Sequence, residues 1–376
     1  MSSVFFYISG HGFGHASRQI EVINALRLLR PDINVAIRSS AERWLFERTV
    51  RGPFTLIGGA TDTGVVQIDS LRLDEEATIR HAAAFTRTLG ARAADEAAML
   101  REHDARLVIA DAPPLACMAA ARAQIPSVVA SNFTWDWIYA EYREQRAAEP
   151  DLIPRIQDAY RHASAAWRLP MHGGFETFDR VVDLPFIARH ATREAAAVRT
   201  QLRLPADRPL VLSSFGGYGL DGFDPSRVDC LDAYGLVITV STKRRAATNR
   251  DGHSLASRAG IYAVDEDEMY ELGFRYEDLV AAVDIVATKP GYGILSECIA
   301  NDTAVLYTSR GRFAEYEVMV AEMPRYLKSE FVSLEDLLAG RWRTALDALT
   351  AAPPPRERPD TRGAEAAAAK IVAMLE

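Results

Sequence analysis

The stretch VFFYISGHGFGHASR, from Val4 to Arg18, decides how this chain folds, because an apolar run stops in it at a loop rich in glycine and histidine. Residues 4–9 are β-branched and aromatic, which is typical of a buried parallel strand, and residues 17–29 can form a helix. Three glycines between them remove the Cβ atoms that would keep another molecule off the backbone: Gly10, Gly12 and Gly14. The sequence therefore predicts a strand, a loop open to a ligand, and a helix.

Two histidines make this loop more than a turn. His11 and His15 each follow a glycine, whereas a tight turn needs one or two glycines and gains nothing from imidazoles. The segment GHGFGH lacks the G-x-G-x-x-G spacing of a dinucleotide site. We therefore expect a ligand loop at the carboxyl end of a strand, where a helix N-terminus and two imidazoles meet the bound molecule.

Length and composition limit the possible classes of protein. With 376 residues, 48% hydrophobic and 25% charged, the chain is globular and long enough for two domains. Its 51 acidic and 43 basic side chains give a net charge of −8, which argues against a broad nucleic-acid surface. No signal peptide or membrane-spanning stretch is recognisable, so we expect a cytoplasmic protein without membrane insertion. Three widely separated cysteines support neither a disulfide frame nor a zinc site.

Apolar strands alternate with helices along both halves of the chain, which predicts an α/β fold with parallel, doubly wound sheets. Residues 75–103 are expected to form one long helix, and residues 132–166 are more helical and aromatic. The pattern restarts after an expected strand at residues 181–187. We predict a first domain over residues 1–188, a second over residues 189–360, and a terminal helix over residues 361–376 that could pack back on the first domain.

Asp111 ends the apolar strand of VIADAPP, and in a doubly wound sheet that strand opens on the same edge as the histidine loop. A carboxylate behind a histidine fixes its tautomer and stabilises the imidazolium that forms when the histidine takes a proton. The alternative, which spacing alone does not exclude, is that Asp111 only caps the next helix.

Two glycine loops in the second half precede helices, SSFGGYG at 213–219 and TKPGYGILSE at 288–297. Their backbone N–H groups and helix dipoles suit a diphosphate, Lys289 adds a positive charge, and Glu297 could accept two ribose hydroxyls. Either loop alone is common in α/β proteins. Together, facing a histidine loop in the other half, they predict a ligand cleft between two domains.

Two further segments could face that cleft. In TSRGRFAEYEVM, Glu315 could bind sugar hydroxyls, although charged surface helices begin in the same way. In SNFTWDWIYAEY, Trp135, Trp137 and Tyr139 could stack on an acceptor. Core packing accounts for at least one of those tryptophans.

The motifs GHGFGHASR, VIADAPPLACMAAA, SNFTWDWIYAEY, LSSFGG and KPGYGILSE occur in this order, and the chain resembles glycosyltransferases of the GT-B fold. More closely, it resembles the glycosyltransferase-like amino-terminal region of plant L-arabinokinases and its bacterial stand-alone relatives. The resemblance implies two Rossmann-like domains facing across a cleft, with the acceptor on the first and a nucleotide sugar on the second. The galactokinase-type part of arabinokinases is missing, so kinase activity is not expected.

The resemblance also implies roles for individual residues. His15 matches the histidine that deprotonates the acceptor in inverting enzymes, Asp111 the aspartate that orients it, and His11 has a looser match. Gly12 and Gly14 would let the two substrates approach. The remaining matches lie on the donor side: Ser214, Gly216 and Gly217 on the first phosphate loop, Gly291, Tyr292 and Gly293 on the second, Ser296 beside it, and Glu297 at the ribose.

The expected activity is therefore that of an inverting, metal-independent glycosyltransferase with a nucleotide-diphosphate sugar as donor, UDP-sugar first, and a small-molecule acceptor. It needs no other cofactor. The pair of an Asp or Glu and a Gln that usually binds the donor sugar in this family is replaced here by residues 313–317. The identity of the donor sugar is therefore not predicted. Two alternatives stay open: a non-catalytic module that binds nucleotide sugars, and a GT-B nucleotide-sugar epimerase.

Overall fold

Two parallel sheets, each flanked by helices, form the framework of the chain in a computed structural model that describes residues 3–216, 220, 222–240 and 259–376. Nine strands lie in the first half: β1 (Ser3–Ile8), β2 (Asn34–Ser39), β3 (Thr55–Gly58), β4 (Val66–Gln67), β5 (Leu73–Asp74), β6 (Ala105–Asp111), β7 (Ser127–Phe133), β8 (Ala165–Gly173) and β9 (Val181–Asp183). Eight helices accompany them: α1 (Gly14–Leu29), α2 (Arg43–Thr49), α3 (Glu75–Arg87), α4 (Leu89–Glu102), α5 (Pro114–Ala123), α6 (Trp135–Ala140), α7 (Arg143–Arg146) and α8 (Leu152–Tyr160).

The described part of the second half repeats this alternation. Its strands are β10 (Leu210–Ser214), β11 (Gly235–Val240), β12 (Ile261–Asp265), β13 (Ile285–Thr288), β14 (Ala304–Tyr307) and β15 (Ser329–Phe331). Its helices are α9 (Ala195–Gln201), α10 (Glu266–Glu271), α11 (Tyr276–Ala282), α12 (Tyr292–Ala300), α13 (Ala314–Tyr326), α14 (Leu334–Ala339), α15 (Arg343–Ala351) and α16 (Gly363–Leu375).

Strand order places the carboxyl ends of the central strands side by side. The first sheet runs β3-β2-β1-β6-β7-β8-β9 and the second β12-β11-β10-β13-β14-β15, with every pairing in both sheets parallel. Every side chain of β1 is buried, as a central parallel strand covered on both faces requires. Ile8 pairs with Asp111 at the ends of β1 and β6, so the loops that follow these strands begin next to each other.

Four local predictions were wrong. The helix after the glycine loop begins at Gly14 rather than at residue 17, so His15 lies in its first turn. The helix predicted over residues 75–103 is broken at Thr88, whose hydroxyl donates to the Phe85 carbonyl and competes with the helical hydrogen bonds. Strand β8 replaces the end of the predicted helical region, and β9 ends before Pro185, which has no N–H for a ladder.

The terminal helix α16 lies against α1 and joins the core of the first sheet through Ala364, Ala367, Ala368 and Ile371. An antiparallel bridge between Ile187 and Arg362 brings its start beside the linker between the halves. The domain limits at residues 188 and 360 stay predictions. Within the described ranges, no helix is both long and apolar enough to span a membrane.

Candidate active site

His15 and Asp111 meet at the carboxyl edge of the first sheet. His15 is 6% exposed in the first turn of α1, and Asp111, the last residue of β6, is fully buried. The two lie 2.8 Å apart from Nδ1 to Oδ1. The strand register that pairs Ile8 with Asp111 produces this contact, because it sets the start of the histidine loop beside the end of β6.

Arg18 and Gln19, both on α1, complete the surroundings of Asp111. Arg18 donates from Nε to Oδ2 at 2.5 Å and from Nη2 to Oδ1, and Gln19 Nε2 donates to Oδ2 at 3.0 Å. Burial alone would raise the pKa of Asp111, but the charges and hydrogen bonds of Arg18 and His15 outweigh it and hold that pKa below its usual range. Asp111 is therefore an ionised carboxylate. It does not cap α5, whose N-cap is Pro113.

The tautomer of His15 follows from the acceptors around it. The Asp111 carboxylate can only accept, whereas Arg18 Nη2, 3.0 Å from His15 Nδ1, already donates to Asp111 and to Ser131 Oγ. We therefore place the proton of neutral His15 on Nδ1. Nε2 then carries the lone pair, and it has no hydrogen-bond partner among the described residues.

His11 has a different environment, on the loop before α1. Its backbone N–H donates to Ser9 Oγ at 3.2 Å, and its ring stacks on Phe313 of the second half with centroids 6.4 Å apart. Burial, followed by the charges of His15, Arg310 and Lys289, lowers the pKa of His11 to about 3. Its imidazole is therefore neutral and away from the carboxylate that holds His15. Gly12 has φ +68°, a left-handed conformation that favours glycine.

Asp62 is a site residue that the sequence analysis missed. This carboxyl, 8% exposed, accepts from Ser9 Oγ at 3.0 Å and from Trp135 Nε1 at 2.8 Å. Burial raises its pKa to about 6, against the opposing influence of His15 and the two donors. The available signal was its position in the polar loop after the third strand, at the same sheet edge as His15 and Asp111.

The aromatic residues predicted to stack on an acceptor divide between two roles. Trp135 and Tyr139 are 1% and 2% exposed and stack on each other with centroids 5.4 Å apart. They are core residues that form a wall behind His15, whose ring lies 6.4 Å from that of Trp135. Trp137 is half-buried and covers Gly173, where a Cβ would meet its ring at 2.2 Å.

The two glycine loops of the second half are joined by a hydrogen bond at the ends of the strands that precede them. Ser214, the last residue of β10, shares a hydrogen bond of 2.6 Å with Tyr276 Oη, and its carbonyl accepts from Thr288 Oγ1 at 2.6 Å. Gly216 leaves open space where a side chain would be. Gly217 lies outside the described residues. Gly291 is the N-cap of α12, so Tyr292 and Gly293 open that helix with N–H groups that have no intrahelical acceptor.

The histidine loop and the second glycine loop face each other at contact distance. A Cβ on Gly293 would lie 3.3 Å from Gly14 Cα, and one on Gly14 would lie 3.9 Å from Gly293 N. Beside them, the Arg18 guanidinium lies over the Tyr292 ring, 5.0 Å from its centroid. The predicted facing of the two loops is therefore present, with backbone against backbone at its centre.

Lys289 lies at the mouth of this second loop. Its ammonium donates to the Ser70 carbonyl of the first half. Burial, and then the charge of Arg310, lowers the pKa of Lys289 to about 7. An anion placed nearby would raise that pKa again, so Lys289 can respond to a phosphate by binding a proton.

The carboxylate predicted to hold a ribose is engaged inside the protein. Glu297 is 3% exposed and accepts at Oε1 from Arg189 Nε at 2.6 Å, while Arg189 also pairs with Glu277 at 3.3 Å. Burial raises the pKa of Glu297, and its Oε2 has no partner among the described residues. Ser296 donates to the Gly293 carbonyl of its own helix at 2.9 Å.

Glu315, unlike Glu297, has a side-chain neighbour at each of its two oxygens. Asn132 Nδ2 donates to Oε1 at 2.7 Å, and Arg310 Nη1 lies 3.5 Å from Oε2. Both predicted sugar-side carboxylates are thus held by neighbouring side chains. Across the described ranges, no group of three potential metal ligands comes together.

The chain is similar in sequence to one part of a longer protein. Over 348 residues the chain is 28% identical to L-arabinokinase of Arabidopsis thaliana, which covers 91% of this chain but only 31% of that longer protein. No protein-family model matches the chain.

Solved structures match it over its whole length. The glycosyltransferase of kitacinnamycin has a TM-score of 0.65 at 15% identity and covers 100% of this chain and 99% of its own. The glycosyltransferase VinC in complex with DTDP has a TM-score of 0.53 at 16% identity, covering 99% and 94%. The spinosyn rhamnosyltransferase SpnG complexed with spinosyn aglycone has a TM-score of 0.56 at 11% identity, covering 99% and 95%. These neighbours confirm the predicted fold class.

Proposed function

We propose that this chain, which has the GT-B fold of glycosyltransferases, is an inverting, metal-independent glycosyltransferase that uses a nucleotide-diphosphate sugar. One observation supports this most directly. His15 is held through Nδ1 by the buried carboxylate of Asp111, with Nε2 unpartnered among the described residues, at the edge that faces the second glycine loop.

In the proposed reaction, His15 Nε2 takes the proton of an acceptor hydroxyl, and the hydroxyl oxygen attacks C1 of the donor sugar. The bond from C1 to the diphosphate oxygen breaks, and the diphosphate leaves with the electron pair. Asp111 stabilises the imidazolium that forms. A single displacement at C1 inverts its configuration.

The donor diphosphate would bind at the N-terminus of α12, where Gly291, Tyr292 and Gly293 supply backbone N–H groups. Lys289 and the helix dipole would stabilise the leaving charge in place of a metal ion. Ser214 and Gly216, with the sequence-predicted Gly217, would line the other phosphate loop.

The nucleoside would lie beside Ser296 and Glu297. Because Arg189 occupies Glu297 Oε1, the proposal leaves Oε2 for a ribose hydroxyl. UDP-sugars and dTDP-sugars are the donors to test first, since VinC is a DTDP complex.

His15→Ala tests the proposal. We expect transfer from UDP- or dTDP-sugars to a panel of hydroxyl acceptors, followed by mass spectrometry, to fall by about 10²–10⁴-fold. Donor affinity in calorimetry should change by less than about threefold, because His15 lies on the acceptor side. Transfer at the wild-type rate would show that the base is another residue.

A second function, binding without catalysis, is favoured by one observation. The matching region is only 31% of L-arabinokinase, so a related segment exists as one part of a larger protein. Tight binding of a nucleotide sugar, with neither transfer nor slow hydrolysis in the same preparation, would support a regulatory module and exclude the transferase.

A further inference from the structure

A row of side-chain hydrogen bonds leaves the His15 site and crosses to the second half. Arg18 Nη1 donates to Asn132 Oδ1 at 2.6 Å. Asn132 Nδ2 donates to Glu315 Oε1 at 2.7 Å and, over a longer 3.4 Å, to the Met171 carbonyl of its own half. Asn132 is fully buried, Arg18 is 4% exposed and Glu315 is 5% exposed. Water therefore cannot readily replace any of these partners.

The chemistry of the three groups allows one arrangement. A guanidinium only donates and a carboxylate only accepts, so the amide between them must turn its oxygen to Arg18 and its nitrogen to Glu315. The same guanidinium holds both oxygens of Asp111 and lies 3.0 Å from His15 Nδ1. A change at Glu315 is therefore two hydrogen bonds away from the group that orients His15.

The position of Glu315 depends on contact between the halves. In the segment before it, Gly311 N donates to the Leu71 carbonyl at 2.8 Å, and Phe313 stacks on His11. Arg310, 3.5 Å from Glu315 Oε2, also donates at 2.9 Å to the Pro290 carbonyl, in the loop that leads into α12. The row thus connects the base of one half with the glycine loop of the other.

We propose that Asn132 is a positioning residue that makes the alignment of His15 depend on the docking of Glu315. The inference rests on the proposed function of His15 as the base. When the halves are together, the amide fixes Arg18, and Arg18 with Asp111 fixes the imidazole. When they part, Asn132 loses its carboxylate partner and the support of Arg18 weakens, so proton abstraction is coupled to closure of the cleft.

Reversing the polarity of the Asn132–Glu315 hydrogen bond tests this coupling. Asn132→Asp places a second carboxylate beside that of Glu315, and the repulsion between two negative charges is unfavourable in a buried site. Adding Glu315→Gln supplies an amide N–H that the new carboxylate can accept. Neither a simple packing role of Asn132 nor a sugar-binding role of Glu315 predicts that the second change repairs the first.

The measurements use the full chain with ¹⁵N-labelled histidine. The Nδ1–H signal of His15, assigned by its loss in His15→Gln, reports alignment without substrate. We expect Asn132→Asp to displace or broaden this signal and to lower kcat about tenfold, with donor Kd within about twofold. The double variant should restore the signal and bring kcat within about threefold of wild type.

Glu75→Gln is the matched control. It removes the ion pair of 2.7 Å between Glu75 and Arg312, whose side chains are 23% and 49% exposed, without touching Asn132. Its His15 signal should equal that of wild type. A double variant as impaired as Asn132→Asp alone would overturn the inference.

Glu315→Leu provides a second test if Asn132→Asp does not fold. It should also change the His15 signal, and an unchanged signal would equally overturn the inference. A wild-type chain without transferase activity would refute the proposed function, yet the two spectra would still decide whether Glu315 acts on His15.

Discussion

Asp111→Asn should separate the contribution of this carboxylate to the fold from its contribution to catalysis. The substitution keeps the shape of the side chain but removes the negative charge that Arg18 and His15 share. Arg18 remains 4% exposed without its ionic partner. Loss of one member of a buried ion pair costs about 3–5 kcal/mol.

This cost can be converted to a melting temperature. With an unfolding entropy of about 2.1 cal/mol/K per residue, cooperative unfolding of all 376 residues changes the free energy by about 0.8 kcal/mol per kelvin. The expected fall in Tm is therefore about 4–6 °C. Calorimetry at pH 7 measures it directly.

The sign of the pH dependence provides a further check. Because the pKa of Asp111 is lowered in the folded state, its stabilisation is present above the unfolded pKa and is lost only as the pH falls below about 4. The stability difference between wild type and Asp111→Asn should therefore shrink as the pH falls below about 4.

The rate of sugar transfer by the Asp111→Asn variant should be about 10²–10⁴-fold lower than that of wild type at temperatures where the variant is folded. The reason is that the tautomer of His15 is no longer fixed. Asp32→Asn, in an exposed pair with Arg30, is the matched control and should leave both Tm and rate unchanged. A folded Asp111→Asn variant with wild-type turnover would refute the assignment of the dyad, and an unchanged Tm would refute the buried ion pair.

Three further predictions concern charge and backbone contact. Calorimetry at pH 8 in buffers of different ionisation enthalpy should show uptake of up to one proton when UDP binds. The reason is that the lowered Lys289 pKa of about 7 rises beside a diphosphate. Lys289→Met should abolish the uptake, and uptake that persists in this variant would exclude Lys289 as its source. Gly293→Ala brings a Cβ to 3.3 Å from Gly14 Cα and should lower kcat/KM about tenfold. Gly14→Ala, with its Cβ 3.9 Å from Gly293 N, should lower kcat/KM by a smaller factor; equal effects would argue against a tight contact. The raised pKa of Asp62, about 6, means that the folded state holds the Asp62 proton more tightly than the unfolded state does. The free energy of unfolding should therefore fall by up to about 3 kcal/mol as the pH rises from about 4 to 6. Urea titrations at pH 4.5 and 6.5 measure this fall, which Asp62→Asn should lack.

Much of the fold was predictable because parallel strands buried on both faces are uniformly apolar runs in the sequence. The run from Val4 to Ile8 is uniformly apolar and became a central strand. Strand β8 was missed although Trp167, Leu169 and Met171 alternate with Arg168, Pro170 and His172, as in a strand with one buried face. It pairs with β7 and β9.

The site was predictable where it follows from sheet topology. Two strands that end at one edge bring His15 to Asp111, and the structure decides the open alternative, since Asp111 accepts from α1 rather than capping α5. Arg18 had a signal that was overlooked. It lies three residues after His15, which places both on one face of a helix.

Partners distant in sequence could not be predicted. Glu297 pairs with Arg189, 108 positions away, and Glu315 with Asn132, 183 positions away. The residue types suited a sugar ligand, but whether a carboxylate is already neutralised depends on tertiary packing. Asp62 was missed for the same reason, because its donors, Ser9 and Trp135, lie after β1 and on α6, 53 and 73 positions away.

The packing of α16 on α1 has a consequence for biosynthesis. A ribosome completes α1 when it has made some thirty residues, but the helix that covers it, Gly363–Leu375, is translated more than 300 residues later. Until then the apolar face of α1 lacks Ala367, Ala368 and Ile371. The helix that carries His15 therefore receives its final support only after both sheets have been synthesised, so a nascent chain holding the first sheet alone should not yet have an ordered base.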